Sequence, residues 1–297
     1  MTAGGRLKKL VASAPADRLG LARVALGGYT TVYLWRQRSK FRRLTHSDPD
    51  LFEPVGAARV LDKPLPAPVA EKIIDATLVS SALFTLGVKH RLVGPLHAAL
   101  LSWTLSYRNS WSMVFHSENT VLWHTLVLGA SRAADGVSVD ALLAKNRPTG
   151  MHQRYGWPLQ AMQAASAATY LLSGIAKIAG SSGWSWVSGT QMRRQVAIDR
   201  IRKDVYGSSR GVTLAHALYP HADLFTGFAA TALALELGAP LAMATPRTGR
   251  LWAIATFGMH WGIRGIMGIR FRYQLSGLSF APWFNLERLL SLAGKAR

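Results

Sequence analysis

The segment YGWPLQAMQAASAATYLLSGIA, residues 155–176, runs for 22 residues without a charged side chain. A helix of that length rises about 33 Å, enough to cross a hydrocarbon core of roughly 30 Å. Residues 224–246 carry Glu236 as their only charge, and residues 92–107 and 251–263 carry none. Soluble helices this long normally show a polar face with acid–base pairs one turn apart. Here the basic residues collect at the ends of the apolar runs, as flanking anchors do, and the ten Trp suit interface positions. The pattern predicts an all-α fold, a polytopic transmembrane helical bundle of about seven to eight spanning helices plus an interfacial amphipathic helix. The alternative is a helical protein that buries the same runs in its own core.

Spanning helices are expected at 19–35, 69–88, 92–107, 119–131, 156–178, 224–245 and 251–268, with a weaker eighth at 273–284. Residues 36–68 carry five prolines and read as a surface loop. Lys89, His90 and Arg91 form a turn, and residues 133–153 a loop. Residues 191–206 place Met192, Val196, Ile201 and Val205 at helical spacing among Arg193, Arg194, Arg200, Arg202 and Lys203. That is the pattern of an interfacial helix or of a helix packed on its own domain. Trp184 and Trp186 just before it read as interface anchors. Three segments result: a basic N-terminal stretch 1–18, one transmembrane domain 19–285 and a basic tail 286–297. A secretory signal is disfavoured, because Asp17, Arg18 and Arg23 interrupt the apolar stretch after Arg6, Lys8 and Lys9. The expected place is the cell membrane, multi-pass. Basic charge on both sides of the first helix leaves its orientation open.

Composition narrows the function. Among 297 residues, Lys plus Arg number 35 against 15 Asp plus Glu, a net charge of +20. Only 17% of residues are charged and 49% are hydrophobic, which excludes a disordered basic tail protein. The absence of cysteine excludes a disulfide scaffold, a cysteine-ligated metal and thiol redox chemistry. The basic residues are dispersed over many connectors, which favours the lipid bilayer over nucleic acid as partner.

Polar residues inside apolar runs need a reason. Lys177 ends the longest run, and Gln163, Ser166, Tyr170 and Ser173 lie behind it within an arc of about 80° at helical spacing. The stripe is expected to face inward; a lysine merely reaching for headgroups is the alternative. His116 and Asn119 share a face with Thr120 and Trp123. Glu236 lies mid-run, and His260 and Arg264 are one turn apart, so a Glu236–Arg264 pair is expected, with a structural or a functional purpose. A metal site from His116, His124 and His260 is disfavoured, since packing histidines are commoner. The chain has no phosphate-binding glycine loop and no G-x-S-x-G elbow.

Several of these stretches together resemble one family. Asn109-Ser110-Trp111-Ser112 with His116-Ser117-Glu118-Asn119 is similar to the NSWG…H-x-[DE]-N segment of bacterial proteins with the horizontally transferred transmembrane (HTTM) domain. Tyr170-Leu171-Leu172-Ser173-Gly174-Ile175-Ala176-Lys177, followed by 183–189 with Trp184, Trp186 and Gly189, resembles that family's Y-x-x-[AS]-G-x-x-K…W-x-x-G block. Glu236 and His260 fall where the family has such residues. The resemblance covers about residues 15–285 and is most specific in the block ending at Lys177. It implies kinship with the membrane domain of vitamin K-dependent γ-glutamyl carboxylases. There a lysine deprotonates a reduced quinone, and oxygen then yields the base that attacks a peptide glutamate. Lys177 matches that lysine and becomes the expected catalytic base. Ala176 stands where the carboxylases have a further lysine. His116, Asn119, Tyr170, Glu236 and His260 become the expected supporting or substrate-positioning residues, with a reduced quinone as the expected cofactor or substrate. The carboxylases continue into a large soluble domain that has no counterpart here. A peptide or protein partner supplying it is therefore expected, or else a non-catalytic role in maturing an exported peptide.

Overall fold

The computed structural model describes residues 11–111, 113–114, 116–207 and 212–295. Every regular element among them is helical, and the only β-type contact is an isolated antiparallel bridge between Ala14 and His152. The chain divides into two compact units, Met1–Met162 with Phe284–Arg297, and Gln163–Trp283.

In the first unit the long helices are α1 (Ala16–Leu44), α2 (Ala67–Leu86), α3 (His90–Asn109) and α4 (Asn119–Gly129), followed by a single turn, α5 (Val139–Leu143). Local chemistry sets their ends. Asp17 in the first turn of α1 and Arg42 and Arg43 in its last turn match the helix dipole. α2 starts behind Pro66 and stops at Gly87, whose φ of 67° suits glycine. α1 packs on α2, α2 on α3, α3 on α4, and α4 returns to α1. Gly94 and Gly129 let α3 and α4 approach closely, since a Cβ on either would stand 2.7 Å from the other's carbonyl oxygen. Hydroxyls join the helices: Thr30 to Ser81 at 2.9 Å and Thr77 to Thr104 at 2.7 Å.

Arg23 lies fully buried at the centre of this unit. It donates to the carbonyls of Phe84 at 2.6 Å, Val137 at 2.5 Å and Ala133 at 3.1 Å, and also to Thr85. Burial lowers its pKa to about 10, still well above neutral, so the guanidinium remains charged. Its acceptors are carbonyl dipoles, and Val137 accepts from a left-handed backbone with φ of 46°, rare for a β-branched residue.

Helix α6 (Gln153–Ala179) contributes to both units, the second beginning at Gln163. The second unit adds a 3-10 turn at Gly183–Ser188, α7 (Thr190–Val205), α8 (Val212–Leu218), α9 (Ala222–Leu237), a 3-10 turn at Ala239–Met243, α10 (Pro246–Met267), the short α11 (Arg272–Leu275) and a 3-10 turn at Leu278–Trp283. The final helix α12 (Arg288–Lys295) belongs to the first unit, where Glu287 just before it holds Arg18 through both oxygens. α10 opens on a reciprocal capping box between Thr245 and Thr248 with Pro246 at its first position. Val196, Ala215 and Phe225 form an apolar core with Met192, Leu218, Ile266 and Met267 around it.

The helices fall near the expected positions, but their character differs. Among the described residues no helix is long and apolar enough to cross a membrane. This overturns the expected polytopic transmembrane bundle and, with it, the multi-pass placement in the cell membrane. The physical reason is that lacking charge is not the same as being apolar. α6 has the length, but Gln160, Gln163, Ser166, Thr169, Tyr170 and Ser173 interrupt it, with Arg154 and Lys177 toward its ends. The expected span at 224–245 breaks at Gly238, with Pro240 just beyond, so α9 keeps 16 residues, or about 24 Å. α4 has 11 residues. α10 carries Arg247, Arg250 and Arg264. Residues 36–44, expected in a loop, continue α1, where Arg38 and Arg42 bind Asp75 of α2. Of the basic N-terminal stretch, residues 1–10 lie outside the described residues.

Candidate functional site

The polar stripe of α6 turns inward within the second unit. Gln163 donates to the Pro282 carbonyl at 2.8 Å, and Ser166 and Tyr170 are buried. Leu172 and Ile175, on the other side, are exposed. Lys177 then ends the stripe beside Glu236 of α9. Its Nζ stands 2.6 Å from each carboxylate oxygen. The Lys177 side chain is 26% exposed and that of Glu236 is 9% exposed, so the pair lies at a border with the amine on the open side. Glu236 is thus paired with Lys177, whereas Arg264, its expected partner, lies over the Trp261 ring at 5.0 Å.

Three features hold this pair. Gly174, one turn before Lys177, lets α9 come close: a Cβ there would meet the Glu236 Cβ and Leu237 Cδ2 at 3.0 Å and the Leu237 nitrogen at 3.1 Å. The indole of Trp252 donates to the Leu235 carbonyl at 2.9 Å and pins the end of α9. The Gly183–Ser188 turn docks on α9 through Thr226, whose hydroxyl donates to the Ser188 carbonyl at 2.8 Å. That docking sets the Trp186 ring 5.3 Å from the Lys177 ammonium, a cation–π distance.

Behind the pair, the Tyr170 hydroxyl lies 2.6 Å from Nε2 of His260 on α10. Burial, helped by the Glu236 carboxylate, pushes the Tyr170 pKa up, and burial lowers that of His260 to about 4. Near neutral pH the phenol therefore keeps its proton and the imidazole is neutral, and a single proton is shared in the hydrogen bond between them. Trp252 meets the Tyr170 ring edge-on at 5.1 Å, and Phe271 meets His260 at 5.0 Å. Burial also raises the Glu236 pKa, against the opposing pull of the Lys177 hydrogen bond and charge. The cluster combines a half-open amine, a carboxyl biased toward its neutral form, and a phenol–imidazole pair in an aromatic wall. It is equipped for proton transfer.

The structure thus joins four of the expected residues, Lys177, Glu236, Tyr170 and His260. Asn119 belongs to the first unit, exposed at the start of α4. The His116 side chain lies outside the described residues. His124 is buried in the first unit, with Nε2 3.0 Å from the Met162 carbonyl. No group of three His, Cys, Asp or Glu among the described residues could hold a metal ion. Sequence reasoning missed Gly174, Trp186 and Trp252 as supports of the pair, though the first two stand inside the block that carries the family resemblance. It also missed a second polar cluster, in which Glu118 accepts from both Tyr33 and Arg108. The ion pair joins Arg108, just before the 109–112 stretch, to Glu118 within the 116–119 stretch. Comparisons with protein-family models, with curated proteins and with solved structures find no match to this chain.

Proposed function

We propose that the second unit carries out acid–base chemistry on the hydroxyl of a lipophilic aromatic substrate of the reduced-quinone type, with Lys177 as the contacting base. The observation that carries this reading is the bidentate Lys177–Glu236 pair with its amine on the open side. The step asks the pair to hold its shared proton on Glu236, the carboxyl whose pKa burial raises, so that Nζ accepts the substrate proton. The substrate O–H bond breaks, its proton goes to Nζ, and the substrate oxygen keeps the electron pair beside the new ammonium. The Trp186 ring offers a flat apolar face next to that oxygen. The resemblance of 170–177 to the carboxylase block supports the same assignment. A structural reading has an observation of its own: a bidentate ion pair also clamps α6 to α9.

The test is an anaerobic titration of the purified protein with 1,4-naphthohydroquinone, reading the absorbance of the bound monoanion. Wild type should raise the anion fraction at fixed pH. Lys177→Ala and Lys177→Arg should both remove the effect, because a guanidinium keeps its charge and accepts no proton. A Lys177→Arg protein as effective as wild type, or a wild type without effect, would leave only the clamp.

A further inference from the structure

Helix α7 has two unlike faces. Met192, Val196 and Lys203 point into the second unit: Val196 is buried in the core with Phe225, and Lys203 donates to the Met267 carbonyl at 2.7 Å. On the opposite side Ile198, Ile201 and Val205 are 56%, 63% and 75% exposed. With exposed Arg194 they fall within an arc of about 60° at 100° per residue. Met192, Val196, Ile201 and Val205, which share helical spacing in the sequence, therefore divide between the two faces. The outer stripe is narrow, and its 4-3-4 spacing is that of a helix–helix seam. Interfacial lipid-binding helices present a broader apolar face with bulky aromatic or leucine side chains.

The spacing of the stripe reads the same in both directions, Arg194, Ile198, Ile201, Val205. In an antiparallel pair of such helices related by a two-fold axis, Ile198 meets Ile201 of the other copy and Arg194 meets Val205. Asp204 then lies beside Arg194 of the other copy. The other basic groups of α7 are largely engaged at home. Arg200 binds Asp204 at 2.7 Å, Lys203 binds Asp199 at 2.5 Å, and Arg193 stacks on Tyr219. Arg194 has no ion pair among the described residues, and the Asp204 side chain is 48% exposed, enough to take a second guanidinium. From this charge complementarity and symmetric seam we infer that α7 is a self-association surface, through which two copies of the chain pair antiparallel about a two-fold axis.

A closed two-fold contact uses the same patch twice. One helix pair buries less than the roughly 1,200 Å² of a stable interface. Association is therefore weak, in the micromolar to millimolar range.

The chain has no cysteine, so register can be read by crosslinking. A mixture of Val205→Cys and Arg194→Cys proteins should form a disulfide heterodimer under mild oxidation. Val205→Cys alone should not, since residue 205 of each copy sits at opposite ends of the pair. Wild type should sediment as a concentration-dependent monomer–dimer mixture. Ile201→Glu, at an exposed position, should be a monomer with unchanged melting. Homodimers of Val205→Cys alone would mean parallel pairing and overturn the proposal. So would a wild type that stays monomeric at several hundred micromolar. A monomer that instead sediments with anionic vesicles through the same stripe would give the face to lipid and overturn it equally.

Discussion

The Lys177 ammonium is held 2.6 Å from both oxygens of Glu236, across the contact of α6 with α9. Read along the sequence, Lys177 is an isolated amine whose removal relieves a desolvation cost. In the folded chain its removal leaves a carboxylate that is more than nine-tenths buried without its cation. Breaking one side of a buried pair is far more damaging than replacing both partners.

Lys177→Ala should therefore lower stability by about 1–3 kcal/mol, less than the 3–5 typical of fully buried pairs because the amine is partly solvated. Lys177→Met combined with Glu236→Leu should recover most of that loss. Urea unfolding of the two single variants and the double variant measures the coupling. Additive losses would show that the pair contributes nothing as a pair.

Gly174 sets the separation of α6 and α9. An alanine in a helix gains about 1 kcal/mol over glycine from propensity. Here its methyl would press on the Leu237 backbone nitrogen at 3.1 Å, which cannot swing aside as a side chain can. Overpacking of this kind costs about 1–3 kcal/mol, so Gly174→Ala should be neutral to mildly destabilising and Gly174→Val clearly destabilising. Melting temperatures of the two variants test the order, and a stabilised Gly174→Val would refute the close contact.

His97, His124 and His260 are all buried, and burial lowers each pKa to about 4. Their unfolded value is about 6.5. Between pH 6.5 and 4 the unfolded chain takes up protons that the folded chain refuses. Stability is thus full above pH 7 and falls as the pH drops through that window, by up to about 3 kcal/mol per histidine. Urea midpoints between pH 4 and 8 should follow this slope. His97→Gln should flatten it for the first unit, with no protection from acid if the slope has another source.

Much of the fold was legible from periodicity and punctuation. The ends of α2, α3 and α7 lie within three residues of their expected bounds, because Pro66, Gly87 and Gly189 mark local geometry. What misled was the weight given to charge-free length. In α6 the side chains of Gln163, Ser166, Tyr170 and Lys177 form a stripe at helical spacing, and the same side chains keep the helix from being apolar enough to span a membrane. The site was half legible: Lys177, Tyr170, Glu236 and His260 stand out as polar residues in apolar runs. Their pairing was not, since Glu236 lies 59 residues from Lys177 and a choice between Lys177 and Arg264 depends on how α9 packs. Trp252 carries no sequence signal for its bond to the Leu235 carbonyl.

Arg23 also imposes an order of events during synthesis. Its side chain emerges from the ribosome early, but two of its acceptor carbonyls, at Ala133 and Val137, follow 110 and 114 residues later. Until they arrive, a charged guanidinium has to stay hydrated, so α1 cannot settle against α2 as it does in the finished protein. Nascent chains stalled before Ala133 clears the exit tunnel should stay open to proteases around α1. Those released past Val137 should resist them, and Arg23→Met should close that gap by removing the charge that has to wait.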